Sequence, residues 1–318
     1  MTKKLISIVT PCYNEEANVE ELYKQVKAIF EKLDLYSYEH IFIDNSSKDN
    51  TVQILKKIAA QDKNVKVIVN ARNFGQIRSP QHGMLQSSGD AVILMASDFQ
   101  DPPALIPDFL KKWEEGYKIV IGVKSQSEET PLMFFLRKIY YFLVSKLSDS
   151  NVKLIKNYTG FGLYDRQIIE IIRNINDPLP YLRGLICEIG FEKAIVKFTQ
   201  PTRKRGISTN NFYTLYDYGM LGITSYSKVP LRIAAMLGFG LSIISILVAF
   251  GYFVAKLLYW QNFSMGIAPI IISLFFFSSV QLFFTGVLGE YIGAIYTKIE
   301  KRPLVVEKER INFDDANT

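Results

Sequence analysis

No charged residue occurs between Arg232 and Lys256, and none between Lys256 and Glu290. The first of these runs, Ile233 to Ala255, is 23 residues long. As a helix it measures roughly 35 Å at about 1.5 Å per residue, enough to cross the ~30 Å hydrocarbon core of a bilayer. Trp260-Gln261-Asn262-Phe263-Ser264-Met265-Gly266 breaks the second run with a polar and aromatic turn. The pattern predicts a hairpin of two membrane-spanning helices, over about 233–257 and 267–292. Buried helices of a soluble core are the competing reading, but a soluble core seldom needs two such runs in succession. Lys228 and Arg232 precede the first span and Lys298, Lys301 and Arg302 follow the second, while the turn is uncharged. Both long termini are therefore expected in the cytoplasm.

The rest of the chain divides around this hairpin. Residues 1–211 are expected to form a cytoplasmic α/β domain, 212–228 a juxtamembrane segment, 229–297 the two spans, and 298–318 a cytoplasmic tail. No signal peptide is expected before Leu5, since a strand-like run begins there at once. The two cysteines, Cys12 and Cys187, fit a reducing compartment and argue against a disulfide framework. A net charge of +6 suits a protein resting on an anionic membrane surface. Nucleic acid is the weaker reading of that charge and is not expected as a partner, because no basic stripe interleaved with aromatics precedes the membrane region.

Read in order, Leu5–Thr10 is an apolar strand stopped by Pro11, and a helix follows over about 18–33. Tyr38–Asp44 is a second strand and Thr51–Gln61 a second helix; Val65–Val69 is a third strand, with a helix to about Ser88. Ala91–Ala96 is apolar without a break, as in a strand buried on both faces of a parallel sheet. Strands alternating with helices in this way predict a mostly parallel, Rossmann-like sheet whose loops gather on one edge. A short edge strand is expected over 301–306, and His82 is expected to pack its helix and to ligate nothing.

Glu15, Asp44, Asn45, Asn73 and Asp98 fall at or just beyond the carboxyl ends of different strands, where open α/β sheets bind ligands. Asp98 and Asp101 flank Gln100 on a turn that Pro102 and Pro103 keep from continuing as strand. Carboxylates held this way suit a hard divalent cation carrying a diphosphate. They are equally suited to closing a turn or capping a helix, as is the polar cluster Asp44–Asp49. No G-x-G-x-x-G or G-x-x-x-x-G-K-[ST] follows a strand, which disfavours dinucleotide and P-loop sites.

Four segments in register, Pro11-Cys12-Tyr13-Asn14-Glu15-Glu16, Asp44–Thr51 (D-N-S-S-K-D-N-T), Ala71–Gln76 (A-R-N-F-G-Q) and Asp98–Pro103 (D-F-Q-D-P-P), resemble the family 2 glycosyltransferases of the GT-A fold. With the two-span tail they resemble the polyprenyl-phosphate glycosyltransferases within that family, over nearly the whole chain. The resemblance implies a GT-A domain. The aromatic-rich stretches about 131–147 and 212–228 read as amphipathic helices in the membrane interface, with packing against the soluble core as the competing reading. The resemblance further implies an inverting transfer of one sugar from a nucleotide sugar, a UDP-hexose such as UDP-glucose, to polyprenyl (undecaprenyl) phosphate on the cytoplasmic leaflet. Mg²⁺ or Mn²⁺ is the implied cofactor, held at Asp98. Asp98 and Asp101 take the catalytic positions; Pro11, Tyr13, Asn14, Glu15, Asp44, Asn45, Asn73, Gly75 and Gln100 take those that bind the nucleotide sugar. The implied location is the bacterial inner membrane, multi-pass, with the catalytic domain in the cytoplasm. Implied partners are the membrane, a downstream flippase and a glycan-modifying transferase, and a homo-oligomer is compatible with the pattern.

The sequence departs from the family in three places. Ala96 stands where relatives carry the first carboxylate of D-A-D-L-Q-D, Gly160 where they carry that of T-G-D-F-R-L, and Thr209 where R-x-x-G-x-S-K ends in lysine. The loss at Gly160 is tolerable on chemical grounds. A phosphomonoester has its second pKa near ~6, so a lipid phosphate is largely a dianion at neutral pH and attacks without a base. What it needs is cations, and Lys124, Arg137, Arg203 and Arg205, with Ser208, are the candidates for the acceptor phosphate. A catalytically degenerate relative that binds lipid or nucleotide without turnover is the alternative. A processive polysaccharide synthase is disfavoured, because neither Trp113 nor Trp260 follows an arginine in a Q-x-x-R-W signature.

Overall fold

The computed structural model describes residues 3–125, 155–201, 220, 224, 229–258, 267–300 and 302–313. One eight-stranded sheet organises it. Its strands in chain order are β1 (Lys4–Cys12), β2 (Tyr36–Asp44), β3 (Val65–Asn70), β4 (Ala91–Leu94), β5 (Ile119–Lys124), β6 (Tyr158–Asp165), β7 (Lys193–Phe198) and β8 (Glu307–Ile311). In space they run β7-β5-β6-β4-β1-β2-β3-β8. β4, β1, β2 and β3 are mutually parallel, as are β5 and β7, whereas β6 and β8 lie antiparallel to their neighbours. The sheet is thus mostly parallel, as expected, with two reversed strands.

Helices cover both faces. On one side α1 (Val19–Phe30), α2 (Thr51–Gln61) and α4 (Ile106–Glu114) pack on Ile6, Ile8, Phe42, Ala91 and Ile93. On the other, α3 (Gly75–Leu85), α5 (Arg166–Ile175) and α6 (Leu182–Glu188) pack on Val9, Ile41, Ile43 and Val92. Successive residues of each central strand serve opposite cores, which is why β4 (A-V-I-L) reads as an unbroken apolar run and β2 ends in Ile41-Phe42-Ile43. α1 meets its core through Val19, Leu22, Val26 and Phe30, one helical stripe.

Three boundaries differ from the sequence reading. β1 does not stop at Pro11 but runs on to Cys12. Val9 O accepts from Met95 N on the β4 side, and Cys12 O accepts from Asn45 N on the β2 side. Pro11, in phase with Val9, therefore directs its nitrogen toward β4, whose ladder with β1 ends at Leu94 opposite Val9. No ladder bond is lost there. β4 itself ends at Leu94, two residues early, although Met95 stays buried in the core. The edge strand expected over 301–306 lies at Glu307–Ile311, paired with β3.

Two long apolar helices follow, α7 (Val229–Leu258, 30 residues) and α8 (Ile267–Ile299, 33 residues). Both are long and apolar enough to cross a membrane. They expose large apolar side chains, among them Met236, Phe239 and Leu282, each more than 70% accessible. α8 runs past residue 292, and near its end Lys298 Nζ lies 3.6 Å from Asp177 Oδ2, just beyond α5. The expected interfacial helices at 131–147 and 212–228 lie outside the described residues, apart from positions 220 and 224.

Candidate active site

The carboxyl ends of β1, β2 and β3 are tied together by side chains. Asn14, with φ +56°, donates its N–H to Ser47 Oγ at 2.9 Å, and its Oδ1 accepts from Lys48 N at 2.8 Å. Glu15 is buried; its N–H donates to Thr51 Oγ1 at 2.9 Å, and its Oε2 accepts from Asn18 Nδ2 at 2.5 Å. Asp44, wholly buried, accepts from Ser47 N at 2.9 Å and from the Ser47 hydroxyl. Burial raises its carboxyl pKa, the bonds from Ser47 and Ser46 oppose that, and the charge of Asp49 adds to it. The capping role weighed for this cluster is met by Asp49, whose Oδ1 accepts from Thr51 N at 3.0 Å at the start of α2. Tyr13 is half-buried beside this brace.

Between β2 and β3 a net of amides shapes the third loop. Asn45 Nδ2 donates to Asn73 Oδ1 at 2.9 Å and to Gly75 O at 3.2 Å. Its Oδ1 accepts from Phe74 N at 2.9 Å and Asn70 Nδ2 at 3.2 Å. Asn73 Oδ1 also accepts from Gly75 N at 2.8 Å, and Gly75 holds φ +85°, a conformation that glycine adopts without strain. The sequence reading found Asn45, Asn73 and Gly75 but missed Asn70 and Ser79, joined at 3.1 Å beneath them. Asn70 Oδ1 is buried without a hydrogen-bond partner among the described residues. A polar residue ending the apolar run of β3 was the available signal.

Past β4 the chain makes a tight carboxylate-closed turn. Asp98 Oδ1 accepts from Gln100 N at 3.1 Å, Phe99 takes φ +61°, and Asp101 Oδ2 reaches back to accept from Ala96 N at 3.0 Å. Asp98 and Gln100 are half-buried and open to the edge, whereas Asp101 is only 7% accessible. Burial pushes the Asp101 carboxyl up to about 6; the Ala96 N–H and the charges of Lys124 and Arg183 oppose this, and Asp98 reinforces it. Both aspartates close the turn, and Asp98 stays half-buried beyond the end of β4.

Gly160, read from sequence as part of a loop, lies in β6 with φ +110°. A Cβ placed there would stand 3.7 Å from Leu94 Cδ2 and 3.9 Å from Leu182 Cδ2. The start of β6 therefore sits between the end of β4 and α6. Lys124 ends β5 on the far side of β6. Arg137, Arg203, Arg205, Ser208 and Thr209 lie outside the described residues.

The model of the family described as "Glycosyl transferase family 2" matches residues 7–170, the whole of this edge from β1 through β6 and into α5. The chain belongs to that family. CsbB of Bacillus subtilis (strain 168), named as a glycosyltransferase, is 35% identical over 309 residues, 97% of this chain and 93% of its own. The bactoprenol glucosyl transferase of Shigella phage SfII is 33% identical over 305 residues, covering 96% of this chain and 97% of the phage protein. Among solved structures, glucosyl-3-phosphoglycerate synthase from Mycobacterium tuberculosis with Mn²⁺ and UDP aligns over 70% of this chain and 78% of that one, at 19% identity and a TM-score of 0.47.

In this family 2 glycosyltransferase, no group of three or more metal-ligating side chains occurs among the described residues. Asp98, with Asp101 behind it, is the donor set at the edge of β4. Such a set fits a hard divalent cation only where substrate phosphate oxygens and water complete the coordination, a mode that Mg²⁺ commonly adopts.

Proposed function

We propose that this glycosyltransferase moves a single hexose, glucose in the first instance, from a UDP-sugar to polyprenyl (undecaprenyl) phosphate at the cytoplasmic face of a bacterial inner membrane, with inversion at the anomeric carbon. The observation that carries the reading is the approach of the apolar helices to the domain that bears the site: near the end of α8, Lys298 Nζ lies 3.6 Å from Asp177, just past α5, which packs on the sheet. An acceptor bearing a phosphate on a long hydrocarbon belongs at such a boundary. The near full-length likeness to bactoprenol glucosyl transferases supports the same acceptor and sugar.

In this reading α7 and α8 span the bilayer as a hairpin with both ends in the cytoplasm, and the protein is multi-pass. The nucleoside lies against the loops of β1, β2 and β3, within reach of Pro11, Tyr13, Glu15, Asn45 and Asn73. Asp98 would hold Mg²⁺ or Mn²⁺ beside the diphosphate, and a cation bound there would supply neutralisation of charge on the leaving group. Asp101 fixes the turn that presents Asp98. The chain need offer no base, because the attacking phosphate oxygen is already ionised near neutral pH. Lys124, Arg137, Arg203, Arg205 and Ser208 place that phosphate. Incubation of membranes containing the protein with labelled nucleotide sugars and polyprenyl phosphate should yield an acid-labile glycolipid, with the UDP-hexose as donor. Absence of product with every donor would refute the proposal and favour a binding protein without turnover.

A further inference from the structure

Along the carboxyl edge the order of elements is β3, β2, β1, β4, β6, β5. The nucleoside residues proposed above stand on β1 to β3 and the cation site on β4, so the free flank lies over β6. α6 covers that flank. Its first residue, Leu182, packs toward Gly160 between β4 and β6, and Leu185 and Ile186 anchor the helix in the core beside Tyr158 and Tyr164. The residue after Leu182 is Arg183, which no sequence motif singles out.

Arg183 is exposed, and among the described residues no carboxylate forms an ion pair with it and no hydrogen bond is made by its guanidinium. Its chain neighbour Leu182, 3.9 Å from a Cβ built at Gly160, sets this turn of α6 over the start of β6, and the Arg183 charge acts from there on the buried Asp101, Tyr158 and Tyr164. Lys124, at the end of β5, acts on Asp101 from the same flank. Position 160, in β6 beside Leu182, is a glycine and offers no side chain to neutralise Arg183. Three other arginines packed about the sheet are committed. Arg166 donates to Gly89 O at 2.8 Å, Arg173 pairs with Glu170 at 2.6 Å, and Arg310 pairs with Glu307.

We propose that Arg183 is an acceptor-phosphate residue: its guanidinium grips the monoester phosphate of the lipid on the β6 side of the site, opposite the nucleoside. An arginine suits this task because its fork of N–H donors matches two phosphate oxygens at once, where a lysine offers a point charge. The assignment rests on the acceptor proposed above. It adds a phosphate ligand held on a folded helix to those assigned by resemblance.

The test uses the full-length protein in detergent micelles. Arg183→Met should raise KM for polyprenyl phosphate about 10- to 100-fold, the range expected for losing a charged hydrogen-bond donor. The KM for the UDP-sugar should stay within about twofold, and Arg183→Lys should recover part of the loss. A binding arm needs no turnover: quenching of tryptophan fluorescence by farnesyl phosphate and by farnesol. The parent should prefer the phosphate, and Arg183→Met should erase that preference. If the preference survives in Arg183→Met, or if the variant raises KM for the UDP-sugar and not for the lipid, the assignment is overturned. A parent that prefers farnesyl phosphate but makes no glycolipid would sink the proposed reaction and leave the role of Arg183 standing.

Discussion

Replacing Asp101 by asparagine should make the protein more stable and less active, and the size of the first effect follows from its surroundings. The carboxyl is 7% accessible and is held at about 6, against ~3.9 for an unperturbed aspartate. A folded-state value above the unfolded one means that the folded protein binds the proton more tightly. Stability is then full near pH 4 and falls as pH rises through 6, by roughly 3 kcal/mol in all. Asp101→Asn removes the charge and keeps an oxygen that can accept from Ala96 N. The variant should match the parent near pH 4 and exceed it by about 3 kcal/mol at pH 8, or roughly 6–12 °C in Tm for a domain of this size. Trp113, whose Nε1 donates to Asp165 Oδ2 at 2.7 Å, reports unfolding of the catalytic domain by fluorescence. Transfer should drop in the same variant, because the turn presenting Asp98 loses its charge-assisted closure. Equal melting of parent and variant at pH 8, or an equal shift at both pH values, would refute the argument from buried charge.

Asp98→Asn should leave melting unchanged, since the residue lies past the strand end, and should abolish most transfer; near-parental turnover would displace the cation from Asp98. A tag inserted between Leu258 and Ile267 should be reachable from the non-cytoplasmic side of intact cells and tags at either terminus should not, and protection of the inserted tag would overturn the hairpin topology. Gly160→Asp should give no gain at neutral pH. The backbone at φ +110° disfavours any side chain, and a carboxylate there would engage the cations of α6 and β5. A gain of about 100-fold would show instead that a missing base limits the rate.

The sequence was most legible where both faces of an element are buried. Ala91–Leu94 announces itself as a central strand because Ala91 and Ile93 serve one core and Val92 the other. Asp98 and Asp101 were found because their turn is local: each bonds a backbone N–H within five residues. Asn70, Ser79 and Arg183 were not found, because their significance depends on neighbours brought in by the fold, such as Asn45 beside Asn70 and Gly160 below Leu182. The edge strand was misplaced for a physical reason. Pro303-Leu304-Val305-Val306 is the apolar stretch, yet the residues that pair are Glu307-Lys308-Glu309-Arg310-Ile311, charged as an edge strand should be. His82 proved to be the partner of Glu307, whose carboxyl is held down to about 2; its burial acts the other way and is outweighed by the bonds from His82 and Arg310.

The position of β8 also sets a schedule for making this protein. Synthesis runs from the N-terminus, so β1 to β7 emerge first, then both long apolar helices, and the strand that covers β3 comes last of all. Until then the backbone groups that pair with β8, from Val67 to Asn70, stand open, an invitation to pair with another chain. Ala71 waits for Val306 and Val65 for Asn312 in the same interval. Completion of the sheet is thus deferred until both long apolar helices have been made. A ribosome that stalls or terminates within the second apolar helix would release a domain with a raw edge at β3, marked for aggregation or quality control instead of service.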